Sequence, residues 1–316
     1  MIQDIYKELA RFPKRLKRKD KTLFLDFIVN KMESLGYAMK TTNGRYYFNC
    51  VNLETEKDDC EVVLGAHYDT PTILPFYFEY LFRLIGHTRQ FLLLLMLFTI
   101  LAAGSFFLKN YEYLDWLLRA FQWTFYISFL SLLIPNPVNQ NDNTSGVATL
   151  LDIAEKISGN PDLKSKIKFI FFDNEELGLL GSFMQRKKWK KENFFLTDKK
   201  IITVDCVAHG EVPVIVYHKN AELAHQLSNT FFSQNIKSKV LRLPFYPISD
   251  NYPFSETGAV NISMMNRTVV PGGYYIKNVH NPRDNQVDFN IINLISNTLI
   301  RFIESRDQVI NEAPSV

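Results

Sequence analysis

Residues 167–182, IKFIFFDNEELGLLGS, decide the fold that the sequence predicts. The stretch opens with IKFIFF, an almost continuous apolar run of the kind that is buried on both faces of a parallel sheet. Two carboxylates, Glu175 and Glu176, follow the run, and a helix is predicted near 179–191. The sequence therefore predicts a buried strand with acidic side chains at its carboxyl end.

Strands and helices alternate on both sides of this stretch. The predicted strands cover 45–54, 61–69, 201–205, 212–217, 239–245 and 259–265, the first two paired across a charged turn. Helices are predicted within 4–36, from Ser145, over 221–236 and over 287–304. This alternation is typical of an α/β fold, and we expect a three-layer sandwich with a mostly parallel central sheet.

Composition excludes several classes of protein. The chain has 316 residues, 47% of them hydrophobic and 22% charged, which excludes disorder and collagen-like repeats. A net charge of +3 gives no field that favours nucleic acid as a partner. Three cysteines, at positions 50, 60 and 206, are too few and too scattered for a disulfide framework or a cysteine-based zinc site. A bound metal would therefore need histidine and carboxylate ligands.

Polar side chains collect at the predicted strand ends, where open α/β sheets bind their ligands. His67, Asp69 and Asp205 end two of the strands. Asp142 lies in the loop NDNTSG just before a helix, and His280 lies in the loop VHNPRDN. Singly, such residues usually cap helices or face solvent. Together, two histidines and three carboxylates match the N and O ligands that zinc takes in catalytic sites.

Six motifs carry a resemblance to a known family. HYD, NDNTSG, FFDNEELGLLGS, VDCVAHG, SDNYPF and HNPRDN occur in this order. They resemble the successive signatures of the two-zinc aminopeptidase family, the zinc-dependent exopeptidases of the leucyl aminopeptidase and aminopeptidase Y type. The similarity covers about residues 40–304 apart from an apolar insertion. It implies a metal-dependent aminopeptidase that removes N-terminal residues from peptides.

The resemblance also implies a ligand set for two zinc ions. His67 and Asp205 would hold one zinc ion. Glu176 and His280 would hold the other, and Asp142 would bridge the two, followed by a cis peptide bond to Asn143. Two ions about 3.5 to 4 Å apart need one short carboxylate that spans them.

The remaining roles implied by the resemblance concern catalysis. Glu175 would be the general base that takes a proton from a zinc-activated water and passes it to the leaving amine. Asp69 would orient the ring of His67 and raise its basicity. Of the histidines to which the resemblance gives no role, only His209, four residues after Asp205, is expected near the site. The loops SDNYPF and PGGYY are predicted to contact the substrate, through Asp250, Asn251, Phe254, Tyr274 and Tyr275.

Two other functions fit the expected fold. One is a glutaminyl-cyclase-like acyltransferase, which uses a single zinc ion; the intact motifs NDNTSG and EELGLLGS argue against it. The other is a non-catalytic membrane scaffold with a peptidase fold. Such proteins lose metal ligands, and no ligand of the implied set is missing from this sequence.

An apolar insertion separates the motifs HYD and NDNTSG. Residues 91–108 are 18 consecutive residues without a charge, just long enough to cross a bilayer. Residues 116–134 form a second, similar stretch that contains Arg119. The pair predicts a transmembrane helical hairpin with its tip at 109–115. Two buried core helices, or a cap that dimerises, are the alternative.

The insertion also determines the predicted domains and location. Residues 1–72 and 136–316 are predicted to form a single zinc peptidase domain, with 73–135 inserted in it. No export signal is recognised near the N-terminus, and basic residues precede the first span, so we expect a membrane-associated protein with a cytoplasmic catalytic domain.

A basic run near the N-terminus is a second possible contact with lipid. The run KRLKRKDK (14–21) holds six basic residues and is interpreted as a solvated face or as a contact with anionic lipid. The predicted partners are peptide substrates and membrane lipid, the latter through 91–134 and the basic run, and the oligomeric state stays open.

Overall fold

The computed structural model describes residues 2–45, 49–87, 112–192, 198–243 and 249–311, together with residues 99, 103, 104 and 194. The helices are α1 (Ile2–Leu9), α2 (Arg18–Ser34), α3 (Tyr77–Ile85), α4 (Glu112–Ser128), α5 (Ser145–Ile157), α6 (Pro161–Lys166), α7 (Leu180–Lys191), α8 (Glu222–Phe232) and α9 (Phe289–Asn311). The strands are β1 (Met39–Arg45), β2 (Asn49–Thr55), β3 (Val62–His67), β4 (Ile167–Phe172), β5 (Lys200–Val204), β6 (Val212–Tyr217), β7 (Lys239–Arg242), β8 (Val260–Arg267) and β9 (Tyr274–Tyr275). Four of these elements, β1, α3, α6 and β9, are not among those predicted from the sequence pattern.

The sheet has the strand order β1-β2-β4-β3-β5-β8-β6-β7, with β9 paired to β8. The central strands β4, β3, β5 and β8 are parallel. The pairs β1-β2, β2-β4, β6-β8 and β8-β9 are antiparallel. The edge pair β6-β7 is parallel as well. The sheet is therefore mixed, and the expectation of a mostly parallel sheet is correct for its centre and for this edge pair only. The first two predicted strands, 45–54 and 61–69, correspond to β2 and β3. Their expected pairing is wrong, because β4 lies between them.

Helices cover both faces of the sheet. In β4, Phe169 and Phe171 point into the larger core, where α1, α2, α5, α6, α8 and α9 pack. The alternate residue Phe172 points to the opposite face and packs with Trp189 of α7. Burying such a side chain contributes about 1.5–3 kcal/mol, so both layers stabilise the central strands. These strands form a rigid platform for the residues that follow them.

Part of the apolar insertion packs against the rest of the protein. Phe78 and Phe82 of α3 contact Tyr275 of β9. A hydrogen bond between Tyr77 Oη and Ser128 Oγ, 2.9 Å long, joins α3 to α4. The insertion therefore makes side-chain contacts with the segment that leads to His280. The division into domains 1–72 with 136–316 and 73–135 stays a prediction.

The predicted hairpin is described only in its second half. Residues 91–108 lie almost wholly outside the described residues. The second stretch forms α4 and a 3-10 turn at Phe129–Leu133, and part of the expected tip is helical because α4 begins at Glu112. Among the residues that the structure describes, no helix combines the length and the apolar character needed to cross a membrane.

The basic run 14–21 is only partly a surface feature. Arg15 and Lys21 are buried. Arg15 donates a hydrogen bond to the carbonyl oxygen of Tyr68, and Lys21 Nζ lies 2.5 Å from Asp173 Oδ1. For these two residues the interpretation as a solvated or lipid-facing surface is wrong, because they bind the segments that follow β3 and β4.

Candidate metal centre

The carboxyl ends of β3, β4 and β5 place four of the predicted residues at one edge of the sheet. His67 is the last residue of β3, and Asp205 directly follows β5. Glu175 and Glu176 come just after β4. Parallel neighbours end at the same edge, so residues that are far apart in the sequence meet there.

The loop Gln140–Thr144 brings Asp142 to the same edge. The side chain of Asn143 accepts a hydrogen bond from Gly146 N (2.8 Å) and donates one to Val204 O (3.0 Å). A Cβ atom at Gly146 would lie 2.4 Å from Val204 O, so only glycine permits this approach. The peptide bond between Asp142 and Asn143 is cis, as the resemblance implies.

Further hydrogen bonds join this loop to the segment that follows β5. Ala208 N donates to Asn141 Oδ1 (2.8 Å), and Val207 N donates to Ser145 Oγ (2.9 Å). The flanks of the loop are therefore tied to residues just beyond Asp205. This local network explains why the motif consists of short polar residues.

The two oxygens of Asp142 face different histidines. Asp142 Oδ1 lies 3.4 Å from His67 Nε2, and Asp142 Oδ2 lies 3.3 Å from His280 Nε2. Each histidine has a second carboxylate beside it: Asp205 Oδ1 is 3.5 Å from His67 Nε2, and Glu176 Oε2 is 3.2 Å from His280 Nε2. The arrangement is two groups of ligand atoms that share one carboxylate.

Several buried atoms of these groups lack hydrogen-bond partners among the described residues. They are both ring nitrogens of His67, Glu176 Oε1 and Asp205 Oδ1. Burying polar atoms without partners is costly, and a bound cation removes that cost. Ligand atoms of His67, Asp142 and Glu176 lie within 4.8 Å of one another, as do those of Asp142, Asp205 and Cys206. The nitrogen and oxygen donors at this edge fit zinc.

Asp69 lies behind these groups and is completely buried. Its Oδ1 accepts a hydrogen bond from Glu175 N (3.1 Å), and its Oδ2 accepts one from Glu176 N (3.2 Å). Asp69 Oδ1 also lies 3.4 Å from His67 Nδ1. Burial raises the pKa of Asp69, but His67 and the positive charge of Lys21 outweigh burial and hold that pKa below its usual value. Asp69 therefore holds the backbone of Glu175 and Glu176 and places a negative charge beside His67.

Carboxylates crowd the edge of the sheet. In the protein chain by itself, burial and the neighbouring carboxylates raise the pKa of Glu175 well above its usual value. Burial and the charges of Asp142 and Glu175 do the same for the pKa of Glu176. Burial also raises the pKa of Asp250, to about 7. Cations within this cluster would offset the repulsion between its carboxylates.

A cavity of about 360 Å³ opens in front of these groups. The predicted metal ligands and Glu175 form the polar part of its lining. Most of the remaining lining is apolar. The apolar lining consists of Leu74, Phe82, Leu179, Ile276 and Val279. His87 and Cys206 complete the side-chain lining described for this cavity.

The predicted substrate contacts are not among the residues that line this cavity. They are Asp250, Asn251, Phe254, Tyr274 and Tyr275. Phe254 packs on Trp189 in the core, and Tyr275 lies behind Phe82. His209 does not line the cavity, whereas His87 does. His87 belongs to no motif, so only the packing of the insertion reveals its position.

Comparison with known sequences gives two matches. The profile of peptidase family M28 matches residues 136–299. A probable lipoprotein aminopeptidase of Mycobacterium tuberculosis is 39% identical over 49 residues. That match covers 16% of this chain, and it spans only 10% of the length of the curated relative.

Several solved structures share the fold over nearly the whole chain. A glutaminyl cyclase of Porphyromonas gingivalis superposes with a TM-score of 0.64 at 16% identity and covers 97% of this chain and 98% of its own. A Zn-dependent exopeptidase of Parabacteroides distasonis gives 0.64 at 14% identity over 96% and 97%. The LapA aminopeptidase of Legionella pneumophila gives 0.61 at 14% identity over 96% and 70%. At these identities the likeness concerns the fold alone.

Proposed function

The chain belongs to peptidase family M28, and from this membership we propose that it is a metal-dependent aminopeptidase that hydrolyses the N-terminal residue from peptides. One observation carries the proposal. The two oxygens of Asp142 face His67 and His280, at 3.4 and 3.3 Å. A shared carboxylate is what two metal ions about 3.5–4 Å apart require.

The proposed ligands divide into two groups. His67 and Asp205 would hold one zinc ion, Glu176 and His280 would hold the other, and Asp142 would contact both. Zinc ions bound there would polarise the scissile carbonyl and lower the pKa of a water molecule. A site for one ion would need no shared carboxylate, and this argues for two ions over the single ion of a glutaminyl cyclase.

Glu175 is the proposed general base. It lines the cavity beside the proposed ligands, and the hydrogen bond from its N–H to Asp69 fixes its backbone. Burial raises the pKa of Glu175, which suits a group that takes a proton from the attacking water and gives it to the leaving amine. Asp69 would keep the ring of His67 in place.

Substrates with a free N-terminus are expected to be hydrolysed on the order of 10⁴-fold faster than their N-acetylated forms. The carboxylates that line the cavity would bind an α-amine, and sites built around such a group reject analogues that lack it by factors of this size. The measurement is kcat/KM for a panel of aminoacyl anilides and short peptides, together with zinc analysis of the purified protein and a chelator control.

The same panel separates the competing functions. Equal cleavage of free and acetylated peptides would contradict the exopeptidase proposal and indicate an endopeptidase. Conversion of an N-terminal glutamine to a pyroglutamyl residue with release of ammonia, with no peptide hydrolysis and one zinc ion per chain, would indicate glutaminyl cyclisation. A protein that binds no zinc and cleaves nothing would be a scaffold.

We also propose that the insertion brings the protein to membrane lipid. Residues 91–108 carry no charge, and α4 exposes large aromatic side chains. Trp116 and Trp123 are each 67% exposed. Aromatic rings of this kind favour the boundary between lipid and water. The cytoplasmic location of the catalytic domain stays a prediction.

Replacing both Trp116 and Trp123 by serine is expected to reduce the fraction of protein that floats with phosphatidylcholine vesicles. The control is Phe232→Ser, which removes an aromatic side chain that is 71% exposed on α8. This control should float like the unmodified protein. Failure of the unmodified full chain to float would refute lipid contact.

A further inference from the structure

Two motifs of the proposed metal centre are far apart in the sequence but meet in the structure. His67 belongs to HYD (67–69), Asp142 belongs to NDNTSG (141–146), and the apolar insertion lies between the two motifs. A connection of that length does not by itself fix the distance between them. Asp142 Oδ1 nevertheless lies 3.4 Å from His67 Nε2. Contacts with the rest of the chain therefore hold the motifs together.

The guanidinium group of Arg15 contacts both motifs. Arg15 Nη2 donates a hydrogen bond to Thr144 Oγ1 (3.1 Å), and Arg15 Nε donates one to the carbonyl oxygen of Tyr68. Tyr68 directly follows His67, and Thr144 lies two residues after Asp142. A planar guanidinium presents its donors in a rigid fork, so the two hydrogen bonds set the distance between the two acceptors.

Arg15 is itself held in place. Its Nη1 donates to Phe12 O (3.0 Å), and its backbone N–H donates to Thr70 Oγ1 (3.1 Å). The guanidinium carbon lies 4.9 Å from the centre of the Phe24 ring, and the residue is 1% exposed. The direction of the fork is therefore fixed as well as its length.

Other residues of the N-terminal segment bind the loop 139–144. Tyr6 Oη donates to Gln140 O (3.0 Å), and Asn139 Nδ2 donates to Pro13 O (2.7 Å). The N-terminal segment therefore contacts this loop at more than one point, and Arg15 extends that contact to the segment after β3.

Arg15 is a buried cation. All three nitrogens of its guanidinium donate to oxygens of neutral groups. Burial lowers the pKa of Arg15 to about 10, while the charges of Asp69 and Asp142 act to raise it, and the group stays charged at neutral pH. Burying a charge without a direct ion pair is costly, and these two carboxylates offset part of that cost. A cation at this place is therefore compatible with the acidic metal centre in front of it.

We propose that Arg15 is a positioning residue of the metal centre, which sets the distance between His67 and Asp142 and thereby raises the affinity for zinc. The proposal rests on the zinc site proposed above and adds to it a residue from outside the six motifs. Arg15 does this without contacting a zinc ion. The bridge between the two motifs is the property that matters, and positive charge alone does not replace it.

The test compares Arg15→Lys and Arg15→Met with Lys168→Met in the full chain. Lysine keeps the charge but has a single nitrogen, which cannot reproduce the spacing of the fork. Methionine removes both the charge and the donors. Lys168 is also a completely buried cation, but it lies near the start of β4, where its Nζ donates to Thr55 O (2.8 Å) and Lys57 O (2.9 Å). Each variant loses buried hydrogen bonds, so a general loss of stability affects all three.

The expected result is a loss of zinc affinity that is confined to the Arg15 variants. Competition with a chromophoric chelator should show a fall of about 10–100-fold in both of them, the range for groups that orient metal ligands. The rise in Tm on addition of zinc should shrink in the same two variants. Lys168→Met should have a lower metal-free Tm but should keep the zinc affinity of the unmodified protein.

Two outcomes would overturn the proposal. One is unchanged zinc affinity in a folded Arg15→Lys protein, because the charge alone would then be sufficient. The other is an equal loss of affinity in Lys168→Met. If neither Arg15 variant folds, Thr144→Val takes their place, since valine keeps the shape of the side chain but removes the acceptor for Arg15 Nη2. That variant should lose about tenfold in zinc affinity, and unchanged affinity would also overturn the proposal.

Zinc binding separates this proposal from the aminopeptidase function, because it needs no turnover. If the unmodified chain binds zinc but cleaves no peptide, and Arg15→Lys weakens that binding, the catalytic proposal fails and the role of Arg15 stands. A chain that binds no zinc would overturn both.

Discussion

Replacing Glu175 by glutamine is expected to lower kcat by about 10²–10⁴-fold, the range that a general base contributes. Glutamine keeps the shape of the side chain but cannot take a proton from the attacking water. The N–H of residue 175 would still donate to Asp69, so the neighbouring Glu176 keeps its position. We therefore expect bound zinc to be unchanged and KM to change little. The measurement is kcat and KM on a leucyl anilide, with zinc analysis of the same sample.

Substitutions of two other glutamates serve as controls for Glu175→Gln. Glu256 is exposed and pairs with Arg186 and Lys219 at the surface, so Glu256→Gln should keep full activity. Glu176→Gln should lose zinc together with activity, because it removes a proposed ligand. Full activity in Glu175→Gln would show that another group takes the proton.

The central strands could be predicted because the apolar pattern that favours each of them lies within the strand itself. An uninterrupted apolar run such as residues 169–172 has few alternatives to a strand that is buried on both faces. The polar residues that follow such runs must reach solvent or a ligand, so their convergence at one edge of the sheet follows from parallel pairing. For this reason His67, Asp205 and the Glu175–Glu176 pair meet as expected.

Pairing between distant strands could not be predicted in the same way. The strand that contains Cys50 and the strand that begins just after Cys60 are neighbours in the sequence, which favours a hairpin. In the structure β4 inserts between them, and its partners are set by packing across the whole sheet. β1 (Met39–Arg45) has the sequence MKTTNGR, with no apolar alternation, and it is a strand because β2 offers it a free edge.

The contacts of the apolar insertion could not be predicted, for a different reason. Hydropathy predicts where a segment is apolar but not what it packs against. Phe82 and His87 lie in the part of the insertion before residue 91, where no motif and no long apolar run attracts notice. Their place beside His280 follows from tertiary hydrogen bonds, which have no signature in sequence spacing.

Replacing Asp142 by asparagine is expected to abolish the stabilisation of the protein by zinc. An amide has one acceptor oxygen and no negative charge. Asparagine could therefore place an oxygen beside His67 or beside His280, but it could not bridge two zinc ions as a carboxylate does. Removing a group that only hydrogen-bonds to a metal ligand typically lowers metal affinity by about 10–100-fold. Removing the carboxylate that both ions share should lower metal affinity further. A metal at 100 times its Kd stabilises the native state by about 2.7 kcal/mol. The Tm of the unmodified protein should therefore rise with zinc, and the Tm of Asp142→Asn should not.

The metal-free Tm of the same variant separates lost binding from damaged folding. The charge of Asp142 raises the pKa of Glu176 and of Asp284, which means that these carboxylates repel one another in the protein chain alone. Removing one charge relieves that repulsion and also removes an anion beside His67 and Arg15, so the Tm of metal-free Asp142→Asn should stay close to that of metal-free unmodified protein. The control Asp162→Asn changes an exposed residue at the start of α6 and should keep the zinc response. If purified Asp142→Asn bound two zinc ions with unchanged affinity, another residue would have to bridge them, and the two-ion arrangement drawn from Asp142 would be wrong.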